Sequence, residues 1–161
     1  MAGVTSVAAA NWNNIPGQSG TVENLFADNN GKGEATKVTV EFVANNTLAS
    51  SGCCEENNQL TGANANLLTG YLDSGAATTT HATVTAIPAT LTSAGYDVYV
   101  YLLGGVPGRG GAYRLIDSTS GAVLKDYVKA QPSANPTAFV EVVQGTTNYA
   151  TGNYIVFRGL K

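Results

Sequence analysis

The chain has 161 residues, of which 43% are hydrophobic and only 12% charged, and its formal net charge is −3. This length can bury a hydrophobic core, and the composition excludes wholesale disorder. The eight Lys and Arg residues are scattered, which excludes a nucleic-acid-binding protein, and the chain has no run of about 20 apolar residues that could form a membrane-spanning helix.

Hydrophobic residues recur with period two along the chain, which indicates β-strands rather than helices. In chain order, strands are predicted at residues 38–42, 82–87, 96–103, 113–116, 139–143 and 154–157, with two weaker candidates at 122–124 and 127–128. The segment 96–103 is apolar on both faces, which is typical of a central strand. Turn signals containing Gly and Asn separate these runs, and one helical turn is predicted at 65–69.

Several short strands joined by turns predict an all-β fold, a β-sandwich of jelly-roll type with antiparallel strands and long loops. Because neither a repeat nor a linker is visible, residues 1–161 are expected to form a single domain, which can be an excised module of a larger secreted protein. Low charge and many Thr, Ser, Asn and Gly residues fit an extracellular location.

Residues 44–66 are expected to form one long loop that carries two adjacent cysteines, Cys53 and Cys54. Adjacent thiolates do not complete a tetrahedral metal site. Three alternatives stay open: a strained vicinal disulfide, a disulfide between chains, or two thiols. A disulfide would fit an oxidising compartment.

Few side chains are available for catalysis. His81 is the only histidine and no G-x-S-x-G elbow is present, which excludes a Ser-His-Asp triad and a His-based zinc site. Glu41 and Glu141 lie on predicted strands and are the carboxylate pair to consider for a glycosidase, the alternative being two solvated carboxylates. The chain is therefore predicted not to be an enzyme.

A Gly-rich segment covers residues 104–111. It lacks the lysine of a P-loop, and no helix is predicted after it, so a phosphate cradle is not expected. The segment is instead predicted to join two strands, with Arg109 at its tip, either solvated or bonded to a ligand hydroxyl.

Oxygen-bearing side chains cluster at residues 28–34, where Asp28, Asn30 and Glu34 are candidate ligands of a structural calcium ion. Calcium takes about six to eight oxygen ligands, and backbone carbonyls can complete that number. The spacing does not match an EF-hand, and a turn with incidental acidic residues is the alternative. No cofactor is expected to be required beyond this ion.

Aromatic residues give the most suggestive pattern. Tyr99 and Tyr101 are two residues apart on one predicted strand, so they project from the same face, about 6.6–6.8 Å apart. Tyr113 is expected on a neighbouring strand, and Trp12 is the only tryptophan. A row of aromatic rings can stack on the C–H faces of sugars, whereas the alternative is that these rings belong to the core or to the domain edge.

Four segments in this order carry a resemblance: Asn-Trp-Asn-Asn at 11–14, Gly-Tyr-Leu-Asp at 70–73, Tyr-Asp-Val-Tyr-Val-Tyr at 96–101 and Asn-Tyr-Ile-Val-Phe-Arg-Gly-Leu at 153–160. Together they make the chain similar to a module of large secreted proteins of environmental bacteria, often found beside polysaccharide-degrading domains. The resemblance implies a β-sandwich like that of carbohydrate-binding modules, and it implies no particular sugar.

The resulting hypothesis is a secreted, non-catalytic carbohydrate-binding module that tethers a linked catalytic domain to a plant or microbial polysaccharide, with a β-glucan favoured. The predicted ligand-binding residues are Trp12, Asn14, Tyr71, Asp73, Tyr99, Tyr101, Arg109 and Tyr113. The alternative is a structural extracellular module, such as an adhesin, surface-layer or filament subunit, that self-associates through sheet edges.

Overall fold

The computed structural model describes residues 1–29, 31–52, 55–75, 78–143 and 148–161. In chain order the strands are β1 (Ser19–Val22), β2 (Phe26–Asn29), β3 (Lys32–Ala35), β4 (Thr39–Val43), β5 (Asn46–Ala49), β6 (Gly70–Asp73), β7 (His81–Thr85), β8 (Tyr96–Tyr101), β9 (Gly111–Ile116), β10 (Val123–Pro132), β11 (Ala150–Gly152) and β12 (Tyr154–Leu160). The helices are α1 (Gly62–Thr69) and α2 (Ala89–Thr92), with a 3₁₀ turn at Thr5–Val7. The predicted all-β class is confirmed, and neither helix is long enough to cross a bilayer.

The chain divides into two compact units. Unit 1 comprises Met1–Leu48 and Leu72–Ala94, and unit 2 comprises Ala49–Tyr71 and Gly95–Lys161. The chain passes from one unit to the other within the short paired strands β5 and β6, and again after Ala94.

Unit 1 contains the antiparallel sheet β1-β4-β7 and the hairpin β2-β3. Because side chains alternate along a strand, residues directly opposite each other across the sheet share a face. One row is Val22, Val40 and Val84, and the next contains Phe42, which is buried. The other face of this sheet is rich in threonine, so the period-two pattern separates an apolar face from a polar face.

Unit 2 contains the sheet β11-β10-β9 and the pair β12-β8. Its core consists of buried residues from several elements: Leu102, Val128, Ala130, Val142, Ile155 and Phe157. A smaller cluster joins Leu68 of helix α1 to Leu60 and Leu103. The predicted helical turn at 65–69 is thus part of a helix of eight residues, anchored by one buried leucine.

Several of the predicted strands differ from those in the structure. Residues 139–143 do not form a strand, and only Glu141 makes an isolated bridge, to Tyr154. The reason is the buried side chain of Asn153, whose Oδ1 accepts a 2.8 Å hydrogen bond from the Val140 N–H where a strand would supply a backbone carbonyl. The two weak candidates at 122–124 and 127–128, apart from Ala122, instead belong to one strand, β10, which contains register shifts.

The long loop predicted at 44–66 is also wrong, because it contains β5 and the start of α1. Cys53 and Cys54 lie outside the described residues. The strands are not uniformly antiparallel, since β10 pairs in parallel with β11. The jelly-roll arrangement stays a prediction.

Candidate functional site

A shallow groove of about 380 Å³ lies on unit 1. Two aromatic rings line it, those of Trp12 and Phe26, and their residues are 43% and 55% exposed. Asn11 and Asn13 contribute amide side chains, and Ala10 and Gly33 complete the lining. Below, this set of six residues is called the Trp12 groove.

The indole ring of Trp12 is held in place by its nitrogen. Nε1 donates to the carbonyls of Ala2 and Ala9, at 3.1 and 3.2 Å. Ala2 and Ala9 also exchange a pair of backbone hydrogen bonds with each other, which fixes the two carbonyls that accept from the indole. The polar edge of the indole is therefore satisfied inside the protein, while part of the ring stays accessible.

Asp28 ties the segment before Trp12 to strand β2. Its Oδ2 accepts hydrogen bonds from the backbone N–H groups of Ala10 and Asn11, and its Oδ1 accepts from the N–H of Gly31 at 2.7 Å. These donors stabilise the ionised form, the Ala10 N–H most strongly, and they lower the pKa of Asp28. Asp28 therefore holds the backbone of Ala10 and Asn11 against strand β2, beside the groove.

Calcium binding at Asp28, Asn30 and Glu34 stays a prediction. Asn30 lies outside the described residues. Glu34 is opposite Ala27 in the hairpin, whereas Asp28 is opposite Gly33, so the two carboxylates project from opposite faces. Within the described ranges, no group of three or more His, Cys, Asp and Glu residues is placed to hold a metal ion.

Asn13 holds the backbone of Phe26, which carries the second ring of the groove. Its Nδ2 donates to the Phe26 carbonyl at 2.7 Å, and its Oδ1 accepts from the Phe26 N–H at 2.9 Å, as a neighbouring strand would. Gly33 keeps the groove open, because a Cβ there would lie 3.5 Å from the Asn11 side chain and 3.7 Å from the Phe26 ring. A larger side chain at this position would fill the groove.

Tyr99 and Tyr101 lie in unit 2, where they pack against other rings. The Tyr154 ring is 6.4 Å from that of Tyr99 and 6.2 Å from that of Tyr101, between centroids, and Phe139 meets Tyr101 edge-on at 5.5 Å. Tyr154 is only 9% exposed. The four rings therefore form a packed cluster with several ring orientations rather than a flat row.

Tyr113 does not join this cluster. It packs against the core of unit 2 beside Leu115, and burial raises the pKa of its hydroxyl. Val98 and Val100 contact the same core, from the face of β8 opposite that of Tyr99. Tyr113 is thus a core residue in this structure.

A charged pair borders the aromatic cluster. Arg158 binds both carboxylate oxygens of Glu141, at 2.7 and 2.9 Å, and the Tyr154 hydroxyl donates to the same carboxylate at 3.4 Å. The hydrogen bond from Arg158 is the main reason that the pKa of Glu141 is lowered, and it keeps this carboxylate ionised. That state does not suit a general acid, and Glu41, the partner considered for a glycosidase, belongs to the other unit.

The remaining predicted residues are dispersed. Arg109 is exposed in the turn between β8 and β9, and Asn14 is exposed two residues after Trp12. The Tyr71 hydroxyl donates to Glu55 at 2.8 Å, and an Asp73 oxygen accepts from the Gly75 N–H at 3.4 Å.

The predicted ligand-binding residues fall into both units: Trp12, Asn14 and Asp73 in unit 1, and Tyr71, Tyr99, Tyr101, Arg109 and Tyr113 in unit 2. Of these eight, only Trp12 lines the groove. Phe26 and Gly33 were not predicted as site residues, because strands β2 and β3 lack a clear apolar alternation. Trp12, which was predicted as a ligand-binding residue, is the signal in the sequence that pointed to the groove.

Comparisons with protein-family models, with curated proteins and with solved structures found no match to this chain. The function must therefore be argued from the residues and their geometry.

Proposed function

We propose that this protein is a non-catalytic, extracellular carbohydrate-binding module whose Trp12 groove binds a plant or microbial polysaccharide, with a β-glucan as the favoured ligand. One observation carries the proposal: an indole ring that is fixed at its polar edge, partly exposed, and set beside a second exposed aromatic residue and amide side chains. The low charge of the chain supports an extracellular role.

The lining chemistry suits sugars. A β-linked glucose chain has equatorial hydroxyls, so each ring presents apolar C–H faces that can stack on the rings of Trp12 and Phe26. The Asn11 amide lines the same groove and can both donate to and accept from hydroxyls at the sugar edge. The groove volume of about 380 Å³ falls in the usual range for small-ligand sites and holds a short stretch of such a chain.

Preorganisation supports the proposal further. The hydrogen bonds of the indole nitrogen hold the Trp12 ring, and those of the Asn13 side chain hold the Phe26 backbone, before any ligand arrives. Binding then costs little additional side-chain entropy. The bond-breaking machinery of a hydrolase is not needed for such a module, which would act by keeping a linked catalytic domain near its substrate.

Trp12 is the only tryptophan, so its fluorescence reports on the groove directly. We would titrate the protein with gluco-, xylo- and manno-oligosaccharides and run affinity gels containing the matching polysaccharides. The expected result is a fluorescence change with one sugar class and retarded migration on the corresponding polymer. Trp12→Ala should abolish the retardation while the circular dichroism spectrum is unchanged.

Two further variants make this test specific. Tyr149→Ala removes an aromatic residue that is similarly exposed but lies in unit 2, so it should bind like the wild type. Gly33→Leu should block the groove while leaving the Trp12 ring present. Retardation that survives both Trp12→Ala and Gly33→Leu would refute the groove as the binding site.

Self-association is the second candidate function, and strand β7 favours it. Its five residues, His81–Thr85, include no Lys, Arg, Asp, Glu or Pro, and Val84 is 46% exposed. Among the described strands, only β4 pairs with β7, so one edge of β7 is open to strand addition. Light scattering after size-exclusion chromatography distinguishes the two functions. Polymers of the wild type that the Thr83→Lys variant does not form would support assembly. A monomeric wild type would support the binding module.

A further inference from the structure

Three of the eight Lys and Arg residues of this chain lie on two paired strands. Strands β9 and β10 carry Arg114, Lys125 and Lys129 against one carboxylate, Asp126, although the whole chain has eleven acidic and only eight basic residues. Arg114 and Lys129 are exposed. These two cations give the outer face of the pair its positive charge, whereas Lys125 lies opposite Leu115, which packs against the core.

Arg114 is held against an aromatic ring. Its guanidinium carbon lies 4.8 Å from the ring centroid of Tyr127, which is 47% exposed. A register shift between Lys125 and Val128 brings Tyr127 across from Arg114. A guanidinium stacked in this way keeps its N–H groups directed outward in its own plane, where they can form a bidentate pair with a carboxylate.

Lys129 extends the same surface. It is two residues beyond Tyr127 on β10, so its side chain emerges on the same face about 6.6–6.8 Å further along, while the intervening Val128 is buried in the core. Neutral polar groups continue the row, since Gln131 donates from Nε2 to the Thr151 hydroxyl at 3.0 Å. Asp126 Oδ1 accepts a 2.7 Å hydrogen bond from the Tyr127 N–H.

We infer that this face, formed by Arg114, Tyr127 and Lys129, binds an acidic polysaccharide that contains uronic acid residues. Arg114 would pair with one sugar carboxylate, Lys129 with the next charge along the chain, and the exposed edge and face of Tyr127 would contact sugar C–H groups. A polyuronate supplies both carboxylates and apolar C–H patches. Nucleic acid fits less well, because tight phosphate binding requires more cations than this face provides. The inference uses residues of unit 2 alone and does not depend on the Trp12 groove.

Affinity gels test the inference with polygalacturonate, with its fully methyl-esterified form and with a neutral β-glucan. The expected result is retardation on polygalacturonate that disappears on the ester and falls steeply with added salt, because the contacts are ionic. Arg114→Gln should weaken the binding about tenfold, as expected when one charge-assisted bidentate contact is lost. Arg114→Lys, which keeps the charge but not the planar fork, should also weaken it.

Matched variants distinguish a specific binding site from a general effect of charge. Lys37→Gln removes the same charge from an exposed position in unit 1 and should bind polygalacturonate normally. Tyr127→Phe should bind nearly normally, and Tyr127→Leu should bind weakly, because Tyr127 acts partly by positioning Arg114. Equal loss in Lys37→Gln and Arg114→Gln, or equal retardation on the methyl ester, would overturn the inference, as would Arg114-dependent binding of single-stranded DNA in preference to polygalacturonate.

The test also separates this face from the Trp12 groove. Trp12→Ala should retain binding to polygalacturonate, whereas Arg114→Gln should retain any binding to neutral glucan. If the wild type binds neutral glucan but not polygalacturonate, only the inference about β9 and β10 is rejected.

Discussion

Asn57 and Ser133 lie 76 residues apart in the chain, yet Asn57 Nδ2 donates a 2.8 Å hydrogen bond to the Ser133 carbonyl. The same amide donates to the Gly104 carbonyl at 2.9 Å, and its oxygen accepts from the Asn135 N–H at 2.6 Å. Asn57 is almost completely buried. One side chain thus satisfies backbone groups of two irregular segments of unit 2, one at Gly104 and one at Ser133 and Asn135.

Replacing Asn57 should be costly for unit 2. Asn57→Ala leaves buried donors and acceptors without partners, which costs about 1–3 kcal/mol for each unsatisfied group, so we expect a loss of at least about 2 kcal/mol in the free energy of unfolding. Asn14→Ala, at an exposed position, should change this free energy by less than about 0.5 kcal/mol. Urea unfolding followed by circular dichroism measures both, and equal stability of the two variants would contradict the bracing role of Asn57.

Ile155 is the largest fully buried apolar residue of unit 2, at 1% exposure. Ile155→Ala should lower the free energy of unfolding by about 2–5 kcal/mol, and Ile155→Val by about 0.5–1.5 kcal/mol, because a cavity adds to the lost transfer energy. Val123→Ala, on an exposed residue of β10, is the control and should be nearly neutral. The same denaturation experiment applies, and a nearly neutral Ile155→Ala would show that this core is not formed.

Because the aromatic rings of unit 2 pack against each other, we expect the loss of one ring to destabilise the unit. Tyr154→Ala removes a buried ring that contacts Tyr99, Tyr101 and Phe139, so a loss of about 3–5 kcal/mol is expected. Tyr149→Ala should be far milder because Tyr149 is half exposed. Thermal unfolding compares the two variants. If Tyr154→Ala stays as stable as the wild type but loses polysaccharide binding, the cluster is a ligand surface instead.

Asp28 predicts how the Trp12 groove responds to acid. Its folded pKa lies below the ordinary 3.8, so its stabilising contribution is present above pH 3.8 and is lost as the pH falls through the lower, folded value. The fluorescence of Trp12 should therefore change reversibly in that acidic range, because Asp28 holds Ala10 and Asn11 beside it.

The variant Asp28→Asn checks this assignment. It should show the altered fluorescence already at neutral pH and lack the acidic transition. Asp117→Asn is the matched control: it removes a carboxylate whose pKa is also lowered by turn hydrogen bonds, but in unit 2, so the Trp12 signal should titrate as in the wild type. An acidic transition that persists in Asp28→Asn would assign it to another group.

The sequence predicted part of the fold because local pattern and packing agree there. The segment 38–42 alternates apolar and polar residues, and the structure buries its Phe42. The segment 154–157 is apolar throughout, and its Ile155 and Phe157 lie in the core of unit 2. The predicted strand 82–87 ends earlier, at Thr85, because Ala86 adopts a positive φ of 55°. At 139–143 the pattern was equally strong, but a distant side chain, Asn153, took the place of a strand partner.

By itself, the sequence determined the all-β class, the position of most long strands and the candidacy of Trp12, since these depend on residue types and on their spacing along one segment. Only the tertiary structure decided that Trp12 meets Phe26 across a groove, that Tyr113 belongs to the core, and that Arg114 stacks on Tyr127. Each of these outcomes depends on strand register and on hydrogen bonds between residues far apart in the chain, which the period of a local pattern does not encode.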